Sequence, residues 1–372
     1  MWRSTKGSSV VLLLLAVFSI VTNTSRPVRL GVTVQATSPA LIQKPAVPEY
    51  KAVPGWALKN FPEGIGNTNG GIAVSSKGEV YIGVQPPVLD GKATEDPRSG
   101  IRVFAPDGTF LRNLPNAPVD LHQFVIRKEK DGEFLYGVRF VSVSRTPPGH
   151  DTDGMFVKMA LDGKTVLSIP ASTIPDKYKD TDRNKENGKL VLRMAAVVVA
   201  PNDDIYVSDG YASDYIHRFD RTGKYLDSFG GKKEPYSFNS IQGLTIDTRF
   251  TPLRLLGSDR ENNRLVHLGL DGKFLGVVAK DMWRPSATAI YGDYAIVAEL
   301  KGRVSVLDKA GNIVSTFATN TADDETASAN TPPAKWRPGI VTAPHGIALN
   351  DHRDVFIGEF NRFGRLHRFN RQ

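Results

Sequence analysis

The sequence predicts an all-β chain folded as a six-bladed β-propeller of four-stranded antiparallel sheets. Three observations predict it. A strand–turn–strand pattern starts six times, at Gly71–Val84, Phe124–Val138, Val197–Gly210, Gly243–Asp259, Ala287–Leu300 and Gly346–Phe360. The starts recur roughly every 45 to 70 residues, the spacing of propeller blades that carry inserted loops. The chain also has 34 glycines and 24 prolines in 372 residues, which suits a fold rich in turns. One such sheet cannot bury both of its faces, whereas six around an axis can, leaving a central channel.

Each unit follows one pattern. A first strand starts apolar, a second is rich in Val, Ile and Tyr, and a third ends in an aromatic residue or Leu. A tight turn then leads to a fourth. Ile216–Phe229 is the clearest copy of the second half, matched by Val266–Val278 and Val304–Phe317. The turns Asp107-Gly108, Asp162-Gly163, Thr222-Gly223, Asp271-Gly272 and Ala310-Gly311 predict two-residue hairpins, with Gly supplying φ > 0. The last unit ends at Arg365–Asn370 and lacks a fourth strand. Val53–Leu58 is expected to supply it, so that the two ends of the chain close the ring and remove an open edge.

The first 36 residues read as an export signal: Arg3 and Lys6 precede the apolar run Val10–Val21, which is short for a membrane span. Cleavage after Ala36 fits the small-residue rule, a cut near Thr24 is the second choice, and an uncleaved anchor is the alternative. Residues 37–52 are a Pro-rich linker and 53–372 the propeller. The expected location is therefore outside the cytoplasm, in the cell envelope or secreted, with no span left after cleavage.

Formal charge is +8, and removing the four basic residues of the leader lowers it to +4. No basic stripe with interleaved aromatics is present, which argues against a nucleic-acid partner. A ring that buries its own edges needs no second copy, so a monomer is expected. The absence of cysteine excludes disulfides, thiolate metal sites and cysteine nucleophiles.

Strand direction locates function. The start of the first strand and the turn after the second lie at one end of a blade. The longest insertions, Gln85–Gly100, Phe140–Gly154, Pro170–Leu190 and Ala318–Pro344, all fall at that end. Long loops on one face of a rigid scaffold are where function concentrates.

First strands of the second, fourth and sixth units open with Leu121-His122-Gln123, Ile241-Gln242-Gly243 and Pro344-His345-Gly346. Alternate blades stand roughly 120° apart, so His122, Gln242 and His345 are expected to converge. Neutral nitrogen donors meeting around an open position are how a catalytic zinc is held. A carboxamide oxygen is a poorer zinc ligand than imidazole, and channel-wall hydrogen bonding is the alternative role. Tyr211 and Arg260 follow second strands, where their side chains are expected to point over the same mouth; an exposed turn residue is the alternative role of each. A tyrosine beside a guanidinium is a candidate base, because the cation stabilises its phenolate, and an Arg holds a carboxylate bidentately. Asp209, Asp259, Asn262 and Arg264 read as turn-shaping residues. Calcium is not expected: Glu299 and Glu359 end second strands near the mouth, but no third carboxylate joins them.

The repeats resemble NHL-type blades. Ser208–Tyr211 (SDGY), Ser258–Arg264 (SDRENNR), Val297–Asp308 (VAELKGRVSVLD) and Ala343–Leu349 (APHGIAL) together are similar to the propeller of peptidyl-alpha-hydroxyglycine alpha-amidating lyase and its bacterial relatives. The resemblance runs from about Ile72 to the end and is strongest from Val197. It implies a zinc ion held by three histidines and a Tyr–Arg pair acting on the substrate hydroxyl, with C–N cleavage giving an amide and glyoxylate. His122 and His345 then match two ligands, Tyr211 the base and Arg260 the group that holds the hydroxylated end. This chain departs from the pattern at Gln242 (the family's middle His), at Gln85 (near a substrate-holding Arg) and at Gly346 (a calcium-binding Asp). The two leading expected functions are a diverged lyase-like metalloenzyme, and a non-catalytic propeller that binds a peptide, glycan or partner protein on the loop-rich face; a calcium-dependent lactonase-type propeller is the third and weakest, since it wants a third carboxylate.

Overall fold

A computed structural model describes residues 46–372 apart from 142–144, 151–153, 180–184, 187–188 and 191–192. The expected export signal and most of the linker lie outside the described residues. Among those described, no helix is long and apolar enough to cross a membrane.

Four repeats fold as separate four-stranded antiparallel sheets, each in simple chain order. They open with the strands Leu121–Glu129, Ala196–Val199, Ile241–Asp247 and Pro285–Tyr291. The first and last repeats share one eight-stranded sheet. In it, Thr68 pairs with Val84 of its own repeat and with Asn361 of the last, and Asn69 faces Phe360. Apolar clusters bridge neighbouring repeats. Phe156 and Ile169 pack with Val207 and Phe219, and Tyr206 and Ile216 with Leu255 and Val266. Between the last repeat and the first lie Phe356 and Leu366 with Ile82, Phe104 and Trp56.

The last sheet is completed by the N-terminal segment, but by Tyr50–Ala52 rather than Val53–Leu58. Tyr50, Lys51 and Ala52 pair with Arg371, Asn370 and Phe369. Val53 N adds one more bond, to Arg368 O at 2.8 Å. Pro54 then has no N–H to continue the ladder, and Gly55, at φ +68°, turns the chain. The apolar character of Val53–Leu58 has another cause: Trp56 is buried against Phe356 and Phe104 and donates Nε1–H to Pro106 O at 3.0 Å.

The turns between third and fourth strands hold three residues, not two. At each, the Gly N–H returns to the residue three back, as in Gly108 N to Ala105 O (2.9 Å) and Gly223 N to Asp220 O (2.9 Å). The Gly then sits at positive φ (+92° at Gly108, +84° at Gly223) as a one-residue bulge. This is the type I turn plus bulge of a three-residue hairpin loop. The Asp carboxylate that suggested the shorter loop caps the turn instead, Asp107 accepting from Thr109 N at 2.9 Å.

The ring seam gives a stability prediction. The Tyr50 ring stacks on Phe317 with centroids 4.8 Å apart, and Phe317 meets Phe369 edge-on at 5.1 Å. Tyr50→Ala is expected to lower unfolding free energy by about 2–4 kcal/mol, measured by urea denaturation. A change under about 0.5 kcal/mol would mean that the seam does not depend on this strand.

Candidate active site at the channel mouth

First strands from all the repeats line the central channel. A cavity of about 230 Å³ runs between them, walled by residues such as Ile72, Phe124, Val197, Leu244, Thr288 and Ile347. Immediately above it, His122, Gln242 and His345 close the channel at the loop-rich end.

Local register aims these side chains. In the fourth repeat Ile241 pairs with Asp259 and Gly243 with Ser258, so Gln242 is the extra residue of a bulge. His345 is skipped in the same way between Pro344 and Gly346, and Ser286 between Pro285 and Ala287. His122 lies in the shift between Leu121 and Phe124. Bulges re-aim side chains out of the pleat, and here they turn three polar groups inward. The repeats between place Gly70, Ala195 and Ser286 near the mouth, small enough to leave the large groups room. A Cβ on Gly70, itself at φ +84°, would lie 2.4 Å from His345 Nδ1.

The hydrogen bonds fix the proton positions. His122 Nδ1 lies 2.6 Å from Ala195 O, a pure acceptor, so Nδ1 carries the proton and Nε2 is bare. Tyr211 donates its hydroxyl to that Nε2 at 2.9 Å. With its proton committed, the Tyr211 oxygen accepts from His345 Nε2 and from an Arg260 guanidinium nitrogen, each at 3.4 Å. Gln242 Nε2 lies 3.4 Å from His122 Nε2. The His122 and His345 ring centroids are 5.1 Å apart. Two buried acceptors, Gln242 Oε1 and His345 Nδ1, have no hydrogen-bond partner.

Charge is lopsided here. Burial, with the Arg145 and Arg260 charges adding to it, pushes the His122 pKa down to about 3. Burial, His122 and the same guanidinium groups hold His345 well below the usual imidazole range. Both rings are therefore neutral at neutral pH. Burial opposes the Arg260 cation, but Tyr211 and Glu261 more than offset this and raise its pKa. Glu261 accepts from Arg260 Nε at 2.9 Å and also pairs with Arg284. One carboxylate thus serves two guanidinium groups.

The structure brings His122, Gln242, His345, Tyr211 and Arg260 together. Gln85 sits beside them rather than among them: its Nε2 donates to Leu121 O (3.1 Å) and its Oε1 accepts from Arg145 (2.6 Å). Arg145 is the residue that sequence reasoning missed. It lies in the Phe140–Gly154 insertion and delivers a guanidinium to Gln85, where the first repeat supplies none. Its only advance signal was its place in a long loop at the correct end.

Glu299 and Glu359 do not face the mouth as cation ligands. Glu299 accepts from Trp283 N, Ser305 and Arg303; Glu359 accepts from Thr342, Ala343 N and His367. Asp259 does the same work with Asn239 N, Asn262 and Arg264. These carboxylates end second strands and tie the incoming loop to the blade. No group of three or more His, Cys, Asp and Glu that could hold a metal occurs among the described residues.

No protein-family model matches the chain, and no curated protein matches it. Among solved structures, virginiamycin B lyase from Staphylococcus aureus aligns over 87% of this chain and 99% of its own, at 14% identity and a TM-score of 0.51. A gluconolactonase from Xanthomonas campestris aligns over 87% and 90%, at 11% identity and a TM-score of 0.53. A protein of unknown function from Bacteroides thetaiotaomicron aligns over 88% and 76%, at 12% identity and a TM-score of 0.55. The fold is a β-propeller. At these identities the propeller likeness carries the architecture and none of the chemistry.

The buried neutral histidines predict a pH response. Their folded pKa values lie below the unfolded value of about 6.5. The stability they contribute is therefore complete above that pH and is lost as pH falls toward the folded values. Each contributes a slope of about 1.4 kcal/mol per pH unit in that window. His217, also pushed down to about 3 by burial and Lys179, adds to it. Urea unfolding between pH 8 and 5 should show stability falling below about pH 6.5, with a shallower slope in His122→Asn. An unchanged slope in the variant would mean that His122 is not held neutral.

Proposed function

We propose that the chain is an exported, six-bladed propeller enzyme with a lyase-type site at the channel mouth, acting on small hydroxylated amides or peptides. The six-blade reading divides the eight-stranded sheet into Thr68–Asn113 and Pro344–Arg371 plus Tyr50–Ala52, each with four principal strands in blade order. The observation that carries the function is Tyr211, whose hydroxyl is held at once by His122, His345 and Arg260.

In this reading the substrate is an N-acyl α-hydroxyglycine. Arg260 holds its hydroxylated end. As the carbon–oxygen double bond forms and the C–N bond breaks, Tyr211 turns its hydroxyl from His122 to the departing amide nitrogen and hands over that proton while its oxygen takes the proton of the substrate hydroxyl, so the products are an amide and glyoxylate and Tyr211 ends as the neutral phenol it began. His122 stays neutral and orients Tyr211 through the bond from its hydroxyl. Nearby bulk keeps water away: the Phe140 ring packs edge-on against Tyr211 at 4.8 Å.

The donor set fits a divalent cation by type. Two neutral imidazoles and the unpartnered Gln242 Oε1 would hold zinc, a weaker set than three imidazoles. Zinc would supply Lewis-acid polarisation of the substrate oxygen. Two measurements test the proposal. Tyr211→Phe should lower kcat on N-benzoyl-α-hydroxyglycine by about 10²–10⁴-fold while leaving the fold intact. Metal analysis should find zinc in the wild type, lost on His345→Ala, and Gln242→His should tighten zinc by about tenfold or more. Full turnover by Tyr211→Phe would remove the assigned base, and metal-free protein with undiminished activity would remove zinc.

The second reading is a non-catalytic binder of a peptide, glycan or protein on the loop-rich face. The carboxamide in place of a third imidazole favours it, because it weakens the metal site without disturbing the channel.

A further inference from the structure

Beside the Tyr211 cluster lies a cavity that the lyase reading does not use. The Gln85–Gly100 insertion folds a small hairpin, Val88–Leu89 against Lys92–Ala93. Asp90 (φ 48°) and Gly91 (φ 74°) make its two-residue turn. Thr94 N donates to Pro87 O at 3.0 Å and pins its base. This built element holds Val88 and Leu89 outward, 42% and 62% exposed. Two adjacent apolar side chains left in water on a fixed hairpin forgo solvation free energy that the fold could have recovered by burying them.

They border a cavity of about 420 Å³ whose other walls include Phe360, Arg145 and Arg362. Segments far apart in the chain meet there: Asn67 before the first repeat's opening strand, the hairpin, Arg145, Ala329 of the Ala318–Pro344 insertion, and the turn after the last repeat's second strand. Arg145 donates to Gln85 Oε1 and lies 5.4 Å over the Phe140 ring. No carboxylate pairs with it among the described residues, and burial depresses its pKa. Arg362, exposed at the rim, has no ion-pair partner among the described residues either. An enclosed guanidinium without a counter-ion is costly unless a ligand supplies one, and a planar fork matches a carboxylate.

We propose that this cavity is a ligand subsite that seats an apolar group against Val88, Leu89 and Phe360 and takes a carboxylate on Arg145 and Arg362. The inference rests on reading the neighbouring mouth as a small-molecule site, and it narrows the substrate to apolar carboxylates. It assigns the hairpin a specificity role: chain length and branching of the apolar group are sensed there, while the charge is sensed by the two arginines.

The test is binding of hexanoate, hexanamide and acetate to the full chain, followed by calorimetry or ligand-observed NMR. Hexanoate should bind about tenfold tighter than either of the others, since each lacks one half of the recognition. Arg362→Ala and Leu89→Asp, both at exposed positions, should each weaken hexanoate by about fivefold or more. Tyr211→Phe should leave hexanoate binding unchanged. Equal binding of hexanoate and hexanamide, or no effect of either variant, overturns the subsite. Hexanoate binding without turnover of an α-hydroxyglycine substrate would sink the lyase reading alone. Turnover without hexanoate binding would sink the subsite alone.

Discussion

The constraint on which the channel mouth depends is the close approach of first strands from neighbouring repeats. A Cβ on Gly346 would lie 1.6 Å from Gly70 O, and one on Gly243 would lie 2.4 Å from Ser286 O. No side chain fits at such contacts, so backbone packs against backbone at the axis. The strands cannot all present large residues there. Bulges turn His122, Gln242 and His345 into the remaining space, while Gly70 and Ala195 stay small. The site is thus a product of packing geometry before it is a product of chemistry.

Dense packing also sets the electrostatics. Water is excluded from His122 and His345, so both stay neutral and serve as acceptors or ligands rather than as cations. The acids near the mouth are committed elsewhere. Asp259, Glu299 and Glu359 accept backbone N–H groups from incoming loops and so stabilise blade entrances. What remains around Tyr211 is guanidinium charge from Arg145, Arg260 and Arg284, balanced by Glu261 alone among the groups that pair with them. A site with that balance attracts anions, whichever reaction it supports.

Much of this was legible in the chain. Period-two apolar runs marked the strands, Gly after Asp or Thr marked the turns, and strand direction put His122, Gln242, His345, Tyr211 and Arg260 at one end. The misses have physical causes. Val53–Leu58 read as the closing strand because Trp56 and Leu58 are apolar, but Pro54 ends the ladder and Trp56 is a core plug. Asp-Gly turns read as two-residue loops because composition does not report whether the Gly occupies the turn or the bulge after it. Glu299 and Glu359 read as mouth-facing because strand position does not reveal that loop N–H groups claim their oxygens.

Sequence by itself determined the all-β repeat, the absence of thiol chemistry and the end of the ring where the long insertions gather. Those properties follow from local periodicity and from residue types, which a linear string displays directly. Tertiary structure decided which atoms meet: the Tyr211 hydroxyl on His122 Nε2, Arg145 on Gln85, and Tyr50 rather than Val53 on the final strand. Each of these depends on register and bulges between segments far apart in the chain, and a one-residue shift, invisible in composition, reverses the direction of a side chain.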